Sequence, residues 1–516
     1  MTAIITDQFR IKSAESFVSG IGSTSGNNYY LWIGLPNSSE LSSSWDDNPP
    51  APKDSFDDEN DYWDTMIALK KLNDDDAIRV VRKIQWTSGT FYDYYRHDYS
   101  RSNLSKVTSA TNLYDSNFYV VNSDYRVYIC LQNGSDPENT LGKPSLDEPT
   151  FTDLEPRSAG TSGDGYIWKY LYTIKPSEII KFDSTNYIPV PNGWETKSEY
   201  AAVKNNALTS GQIKIINVKN RGVGYGTAAT YNNVQIKGDG SGATCSVVIN
   251  TTGTVDAIEV TNGGSNYSFG TVDLVSAGVI NDGSTTANLE VIIPPKGGHG
   301  ADIYRELGAY RVLIYSRLEN DSINPDFIIG NQFARVGIVK NPVSNDSSEL
   351  LSLSKASAVY ALKLSGATVS STTFTADSYV RQTVSTGSTA VGRVVSWNSA
   401  SGVLKYWQDR KLASGTTATY GYNLLRFTGS PETGGSTTLS GGSNNLVIDT
   451  NFGTTSSPGI KTTINSKTYY LGQSFVEGVA SPEVKKYSGE VIYVDNRAAV
   501  TRSATQKEDI KIVLEF

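Results

Sequence analysis

Histidine and cysteine, the side chains that most often bind metals or attack substrates, are rare in this chain of 516 residues. The two histidines, His97 and His299, lie far apart, so a metal site or a Ser-His-Asp triad could use only one of them. His299 sits among glycines in 297–300, where a turn is the favoured interpretation. Cys130 and Cys245 are also far apart, and a lone cysteine in a strand is usually a small buried hydrophobe. We therefore expect neither a disulfide framework nor a zinc site, which suits folding in a reducing cytoplasm.

One glycine-rich segment resembles a nucleotide-binding loop. Arg221-Gly-Val-Gly-Tyr-Gly226 follows a predicted strand, but its glycines are spaced as G-x-G-x-G instead of the G-x-G-x-x-G of dinucleotide-binding loops. Residues 228–233 offer no helix whose N-terminus could receive a phosphate. We interpret the segment as a β-turn within a repeat.

The acidic residues point to no particular chemistry either. Asp57–Asp61 begins like a calcium loop, but Tyr62 stands where such a loop needs glycine, and no glutamate follows at the last ligand position. We interpret this stretch as a solvated acidic loop before a helix. The 53 acidic residues of the chain single out no carboxylate pair for glycoside cleavage. The sequence thus predicts no catalytic, cofactor-binding or metal-binding residue, no cofactor and no enzyme activity.

Charge and hydrophobicity argue against two classes of partner. The net charge is −8, and no basic run marks a nucleic-acid footprint. No apolar run approaches the ~20 residues that cross a bilayer, and charges come too early in residues 1–10 for a signal peptide. We expect a soluble protein that binds neither nucleic acid nor membrane.

The elements that would position any site are mainly strands. Gly, Ser, Thr and Asn are abundant and tyrosines number 31, a composition typical of β-rich proteins with many turns. Helical spacing of apolar residues predicts helices at Thr6–Ser19 and Tyr62–Leu72. Alternating apolar residues predict strand pairs at 118–121 with 125–131 and at 390–397 with 403–407.

The stretch Gly163–Ile174 is the most distinctive predicted strand. One face carries Tyr166, Trp168, Tyr170, Tyr172 and Ile174, and the other carries Ile167, Lys169, Leu171 and Thr173. Four aromatic side chains on one face bury far more area than an ordinary strand. We expect this face to lie in the centre of a core.

Composition changes along the chain predict a core in three pieces with two insertions. The segment from Ile215 to Tyr225 aligns with the segment from Ala257 to Tyr267, which indicates two tandem copies of a small all-β unit. A second Ser/Thr/Gly-rich block follows later. The predicted fold is mainly β, a layered β-sandwich core with a few helices in loops and two inserted small all-β domains. Its segments are core 1–205, inserted repeat 206–297, core 298–354, second inserted domain 355–480 and core strands 481–516.

Several motifs carry a resemblance to a known family. They are Phe9-Arg10 with Ser19-Gly-Ile-Gly-Ser23, Gly163–Tyr172, Ile303-Tyr-Arg305, Val339-Lys-Asn-Pro342, Tyr487–Arg497 and Asp509–Phe516. In this order the core segments resemble the β-sandwich baseplate wedge subunit of T-even-like contractile-tailed bacteriophages. The two insertions have no counterpart in compact members of that family, and in style they are similar to versions from phages of marine cyanobacteria.

The resemblance implies a structural protein of the virion. It implies a dimer that binds other baseplate wedge proteins in the viral tail after assembly in the host cytoplasm. Two other functions stay open at this point. The Tyr- and Asn-rich insertions suit a carbohydrate-binding tail adhesin, and a surface-acting glycoside hydrolase is the third hypothesis.

Overall fold

The computed structural model describes residues 3–22, 26–36, 44–207, 209–321, 327, 329–408 and 425–516, without the side chains of Ser44 and Asp46. Ser23 of the N-terminal motif and residues 409–424 of the second predicted insertion lie outside these ranges. The described residues form two compact units. Unit 1 consists of Met1–Val18, Ile78–Ile314 and Ile512–Phe516, and unit 2 consists of Ser19–Ala77 and Tyr315–Lys511.

Helices are few and mostly short. In chain order they are α1 (Asp7–Ile21), α2 (Ser44–Asp47), α3 (Phe56–Thr65), α4 (Pro176–Phe182), α5 (Ala201–Asn206) and α6 (Ile303–Leu307).

Strands make up most of the regular structure. Up to the end of the first predicted insertion they are β1 (Tyr29–Gly34), β2 (Met66–Lys71), β3 (Ala77–Arg82), β4 (Tyr119–Val121), β5 (Arg126–Asn133), β6 (Tyr166–Thr173), β7 (Tyr187–Pro189), β8 (Ile216–Asn220), β9 (Ala229–Gly238), β10 (Ser241–Ile249), β11 (Val255–Ser265), β12 (Gly270–Val272) and β13 (Asn288–Val291). The later strands are β14 (Arg311–Glu319), β15 (Gln332–Lys340), β16 (Lys355–Ser357), β17 (Tyr360–Ser365), β18 (Tyr379–Ser385), β19 (Ser388–Asn398), β20 (Val403–Trp407), β21 (Thr438–Leu439), β22 (Leu446–Ile448), β23 (Gly459–Ile464), β24 (Lys467–Phe475), β25 (Val479–Ala480), β26 (Glu490–Thr501) and β27 (Lys507–Glu515). The prediction of a mainly β chain with several sheets and few helices is confirmed.

The core of unit 1 surrounds the antiparallel sheet β4-β5-β6. Strand β7 pairs with β3 in the same unit. Helix α1 contributes Ile11 to this core, and the segments before and after the first insertion contribute Trp194 and Tyr304. Residues from widely separated parts of the sequence therefore share one apolar cluster.

Strand β6 confirms that Trp168 is buried but corrects the expected division of its faces. The ring of Trp168 has no exposed surface and stacks on Tyr166, with centroids 5.3 Å apart. Lys169 and Leu171, predicted for the opposite face, are buried as well, whereas Tyr170 is partly exposed. Two register shifts against β5 interrupt the regular alternation of the strand, because a bulge redirects the side chains that follow it.

The two copies of the predicted repeat form one structure. The first copy supplies β8, β9 and β10, and the second supplies β11, β12 and β13. The sheet order is β11-β10-β9-β12-β13-β8, which stays the same when the copies are exchanged and the order is reversed. Backbone bonds from Ile213 N to Gly263 O (2.9 Å) and from Val255 N to Arg221 O (3.0 Å) join the two ends. Since the first strand of each copy pairs with the last strand of the other, neither copy encloses a core by itself.

Buried charges fix this closed sheet to the rest of unit 1. Arg96, almost fully buried, donates to Asp98 at 2.7 Å and to Glu290 of β13 at 2.6 Å. Lys219 of β8 lies 3.2 Å from the second oxygen of Glu290. Ile292 at the end of the repeat belongs to the main core cluster of the unit. The predicted insertion 206–297 is thus packed against the rest of unit 1.

Unit 2 contains an antiparallel five-stranded sheet of order β16-β2-β1-β15-β26. Trp32 in its centre is fully buried. Gly337 on the neighbouring strand pairs with Trp32, and a Cβ atom at Gly337 would collide with the indole ring. Glycine is therefore needed here for close approach of a large side chain.

The predicted helix Tyr62–Leu72 is wrong in its position. Helix α3 begins earlier, because Ser55 accepts a hydrogen bond from Asp58 N at 3.2 Å and the acidic residues 57–59 occupy its first turn, where they suit the helix dipole. The acidic loop is therefore part of the helix. Residues 66–71 form strand β2 between β1 and β16, where both faces of Met66–Leu69 are buried.

The second predicted insertion contains a seven-stranded sheet and a separate hairpin. The strand order of this sheet is β18-β19-β20-β17-β22-β21, and β25 also pairs with β17. The pairing of β19 with β20 confirms the predicted hairpin of 390–397 with 403–407. Strands β23 and β24 form a two-stranded hairpin whose turn, Asn465-Ser466, has positive φ at both residues. These sheets belong to unit 2, whereas the first insertion belongs to unit 1.

Candidate functional site

The glycine-rich segment 221–226 is a structural turn, as interpreted from its spacing. Gly222 N donates to Asn220 Oδ1 at 2.8 Å, Val223 N to Thr285 O at 2.8 Å and Tyr225 N to Gly253 O at 3.0 Å. These backbone N–H groups are already bonded, so they are not available to hold a phosphate.

The second copy of the repeat builds the same turn. Gly264 N donates to Asn262 Oδ1 at 3.0 Å, and both Gly222 and Gly264 have a left-handed φ near 60°. The hydroxyls of Tyr225 and Tyr267 each accept a backbone N–H from across the sheet, at 2.7 and 3.2 Å. The glycines of the repeat therefore form its turns, and the tyrosines accept hydrogen bonds that stabilise the closed sheet.

Both cysteines are free and buried, as predicted. Burial raises the pKa of the Cys130 thiol well above its usual value and raises the pKa of the Cys245 thiol to about 11. The thiolate is the reactive form, so neither cysteine is prepared to act as a nucleophile.

His299 lies in a turn, as the glycines around it predict, and it also has buried polar partners. His299 is buried, and its Nδ1 lies 2.5 Å from Glu306 Oε1. Glu306 is also buried and accepts the Gly300 N–H at 2.7 Å. The ring of Tyr95 meets the imidazole edge-on, with centroids 4.7 Å apart. His97 lies elsewhere, where its Nδ1 accepts the Ile293 N–H at 3.3 Å.

Lys169 extends this group of buried polar residues. Its amine donates to Leu154 O at 2.7 Å and to Asn206 Oδ1 at 2.8 Å. Lys169, Asn206 and His299 line a void of about 10 Å³, which is close to the smallest space that holds one water. No substrate fits such a space, so we interpret the cluster as structural.

Lys169 makes the stability of unit 1 depend on pH. Burial lowers its pKa from 10.5 to about 8, although Glu306 acts in the opposite direction. Between these values the unfolded chain still holds the proton that the folded chain has released, so stability rises with pH. Relative to Lys169→Met, the wild-type protein should gain up to about 3 kcal/mol in its free energy of unfolding from pH 8 to pH 10.5.

Urea denaturation of both proteins across this pH range measures that difference, and titration of the tyrosines cancels in the comparison. A difference that stays constant with pH would show that Lys169 keeps its ordinary pKa in the folded protein.

A cleft of about 610 Å³ lies in unit 2 at the second insertion. It lies between the β19–β20 hairpin, the β23–β24 hairpin and residues near Asn320. Its aromatic lining includes Trp397, Tyr469 and Tyr470, and its charged lining includes Lys405 and Lys467. No residue of this cleft was singled out from the sequence, although the signal Lys467-Thr-Tyr-Tyr470, flanking a tight turn, is visible there.

A second cavity of unit 2, of about 270 Å³, is less suited to a ligand. Among the described residues, both amide atoms of Asn331 and Nε1 of Trp407 have no hydrogen-bond partner, but these atoms are closed to solvent and so cannot be reached from the cavity. Most of its remaining lining, such as Leu35 and Val394, is apolar.

Apolar side chains are exposed near the beginning of the chain. Ile4 and Ile5 precede helix α1, and Phe9 lies in its first turn with 63% of its surface exposed. None of the helices in the described ranges is long and apolar enough to span a bilayer. Within the same residues, no three histidine, cysteine, aspartate or glutamate side chains gather as a metal site would require.

Comparison with known proteins finds a distant similarity to a phage baseplate protein. Over 218 residues the chain is 28% identical to the baseplate wedge protein gp8 of Enterobacteria phage T4. The match covers 38% of this chain and 63% of that protein, which is less than two thirds of its length. No family model matches the chain. The likeness supports a structural, baseplate wedge-like protein.

Proposed function

We propose that this chain is a structural subunit of the baseplate wedge in a contractile phage tail and has no enzyme activity. The observation that carries the proposal is the alignment with the wedge protein gp8 of phage T4. The buried state of both thiols and of the His299–Glu306 pair is in keeping with it, because none of these groups can reach a substrate.

The proposed partners are a second copy of the chain and other wedge proteins, with no role for nucleic acid or membrane. The exposed side chains of Ile4, Ile5 and Phe9 support an assembly role, since apolar groups on a surface favour burial in an interface. The proposed location is the baseplate of the virion tail, reached after assembly in the host cytoplasm.

We propose the same division of the chain into three core segments and two insertions. We also propose that the insertions are similar to those of cyanophage versions of the wedge subunit. Each insertion has an apolar cluster of its own, one including Tyr225 and Tyr267 and the other including Tyr360 and Tyr406. Separate clusters favour the view that the insertions were added to a scaffold.

The wedge role predicts that the chain is a constant component of purified tails. Mass spectrometry of tails should find it, and immunogold labelling should mark the baseplate end of the virion. Its absence from tails, with the protein present in the infected cell, would overturn the proposal. Light scattering of the purified chain, whose monomer mass is 55.9 kDa, tests the dimer separately.

A second candidate function is carbohydrate binding by a tail adhesin through the inserted domains. The cleft of about 610 Å³ favours it, because aromatic side chains of the second insertion line it beside polar and charged ones.

A further inference from the structure

The cleft at the second insertion has the size and lining of a ligand site. Its volume of about 610 Å³ lies within the range of ~300–1,000 Å³ usual for ligand pockets. Aromatic rings, hydroxyls and amides line it together, including Trp397, Asn398, Ser399 and Tyr470. Sugars are bound by such combinations, because a sugar ring has apolar C–H faces and a rim of hydroxyl groups.

One wall of the cleft is held in place by bonds within the insertion. The indole Nε1 of Trp397 donates to Thr372 O at 2.8 Å, and its ring meets Phe374 edge-on with centroids 5.0 Å apart. In the adjoining turn, Asn398 Oδ1 accepts the N–H groups of Ala400 and Ser401, at 3.1 and 3.0 Å. Because these groups are already ordered, binding there costs less conformational entropy.

The β23–β24 hairpin carries the exposed residues of the lining. Tyr470, on strand β24, has 44% of its surface exposed. The Lys467 amine lies 5.2 Å from the ring centroid of Tyr469, and none of the described residues places a carboxylate against it. Asp321, also in the lining, is paired with Lys355 at 3.0 Å. The hairpin therefore offers an aromatic face and an uncompensated positive charge, although the whole chain has a net charge of −8.

We propose that this cleft binds an acidic oligosaccharide. A sugar ring packs on Tyr470, and a carboxylate of the saccharide pairs with the Lys467 amine. Trp397 supplies a further aromatic side chain of the same cleft lining. This inference rests on the second candidate function and does not depend on the wedge role, so absence of the chain from tails would leave it unaffected.

Saturation-transfer NMR and titration calorimetry on the full chain test the proposal, with trigalacturonate as the acidic probe and maltotriose as the neutral one. Trigalacturonate should bind with a Kd of about 1 mM or below, and maltotriose about tenfold more weakly. Binding of the acidic probe should weaken as salt is raised, because screening reduces the attraction to Lys467.

Two variants and one control locate the contact. Tyr470→Ala and Lys467→Gln should each weaken trigalacturonate binding about tenfold, which is the usual size of one such contact. Arg381→Gln changes an exposed cation of the second insertion outside the cleft lining and should leave binding unchanged. All three positions are exposed, so the variants should keep the wild-type melting temperature.

Three results would overturn the inference: no saturation transfer from trigalacturonate, equal binding of maltotriose, or wild-type affinity in both cleft variants. The first result would show that the cleft holds only water. The second would show that the charge of Lys467 does not contribute to binding.

Discussion

Replacing Trp168 by alanine should lower the free energy of unfolding by about 3–5 kcal/mol, because it leaves a cavity in the core of unit 1. The side chain is fully buried between aromatic neighbours, stacked on Tyr166 and edge-on to Tyr92 at 5.9 Å. The rest of the core is assembled from distant parts of the sequence, so it has little freedom to collapse into the space. Urea denaturation followed by fluorescence measures the change.

Trp168→Phe is the matched control for this substitution. The indole Nε1 has no hydrogen-bond partner among the described residues, so phenylalanine loses contact area without leaving a partner unpaired. We expect a loss below about 2 kcal/mol for phenylalanine. An alanine variant with unchanged stability would contradict the buried position and would place Trp168 at a contact with another protein.

Replacing Glu306 by alanine should also cost about 3–5 kcal/mol, because it removes one partner from a buried polar pair. The substitution leaves His299 Nδ1 and the Gly300 N–H without their acceptor in a region closed to solvent. It also removes the carboxylate that raises the pKa of Lys169, so that pKa should fall further. Denaturation curves at pH 7 give the change in stability.

Two controls separate the buried pair from a general effect of charge. Glu306→Gln keeps an acceptor for Gly300 and should cost less, about 1–2 kcal/mol. Glu199→Ala breaks the exposed pair with Lys175 in the same unit and should change stability by less than about 1 kcal/mol. If the alanine variants of Glu306 and Glu199 behaved alike, the buried cluster would contribute nothing specific to the fold.

Local sequence patterns were sufficient for most strands of this protein. The predicted pairs at 118–121 with 125–131 and 390–397 with 403–407 are present, because the alternation of side chains and the turn residues are both local properties. Helix α1 also lies where apolar spacing placed it. In the sequence, residues 57–59 are recognisable only as an acidic stretch, whereas the cap at Ser55 makes them the start of a helix.

Positions that depend on distant neighbours were predicted less well. Met66–Leu69 is an apolar run that suits a buried helix or a buried strand equally, and only its place between β1 and β16 decides for the strand. The repeat from Ile215 was found in the sequence, but the exchange of strands between its copies was not. His299 and Glu306 are close in sequence, yet their pairing depends on the turn at Gly300 and on helix α6.

The sequence by itself determined the β-rich class, the absence of a recognisable catalytic motif and the repeat, since composition and periodicity are properties of the chain alone. Tertiary structure decided which polar groups are buried together, as with Lys169 and Glu306, and which side chains line the same cleft, as with Trp397 and Tyr470. The reason is physical: burial and contact join residues far apart in the chain, and no local pattern encodes which distant surface will cover a given side chain.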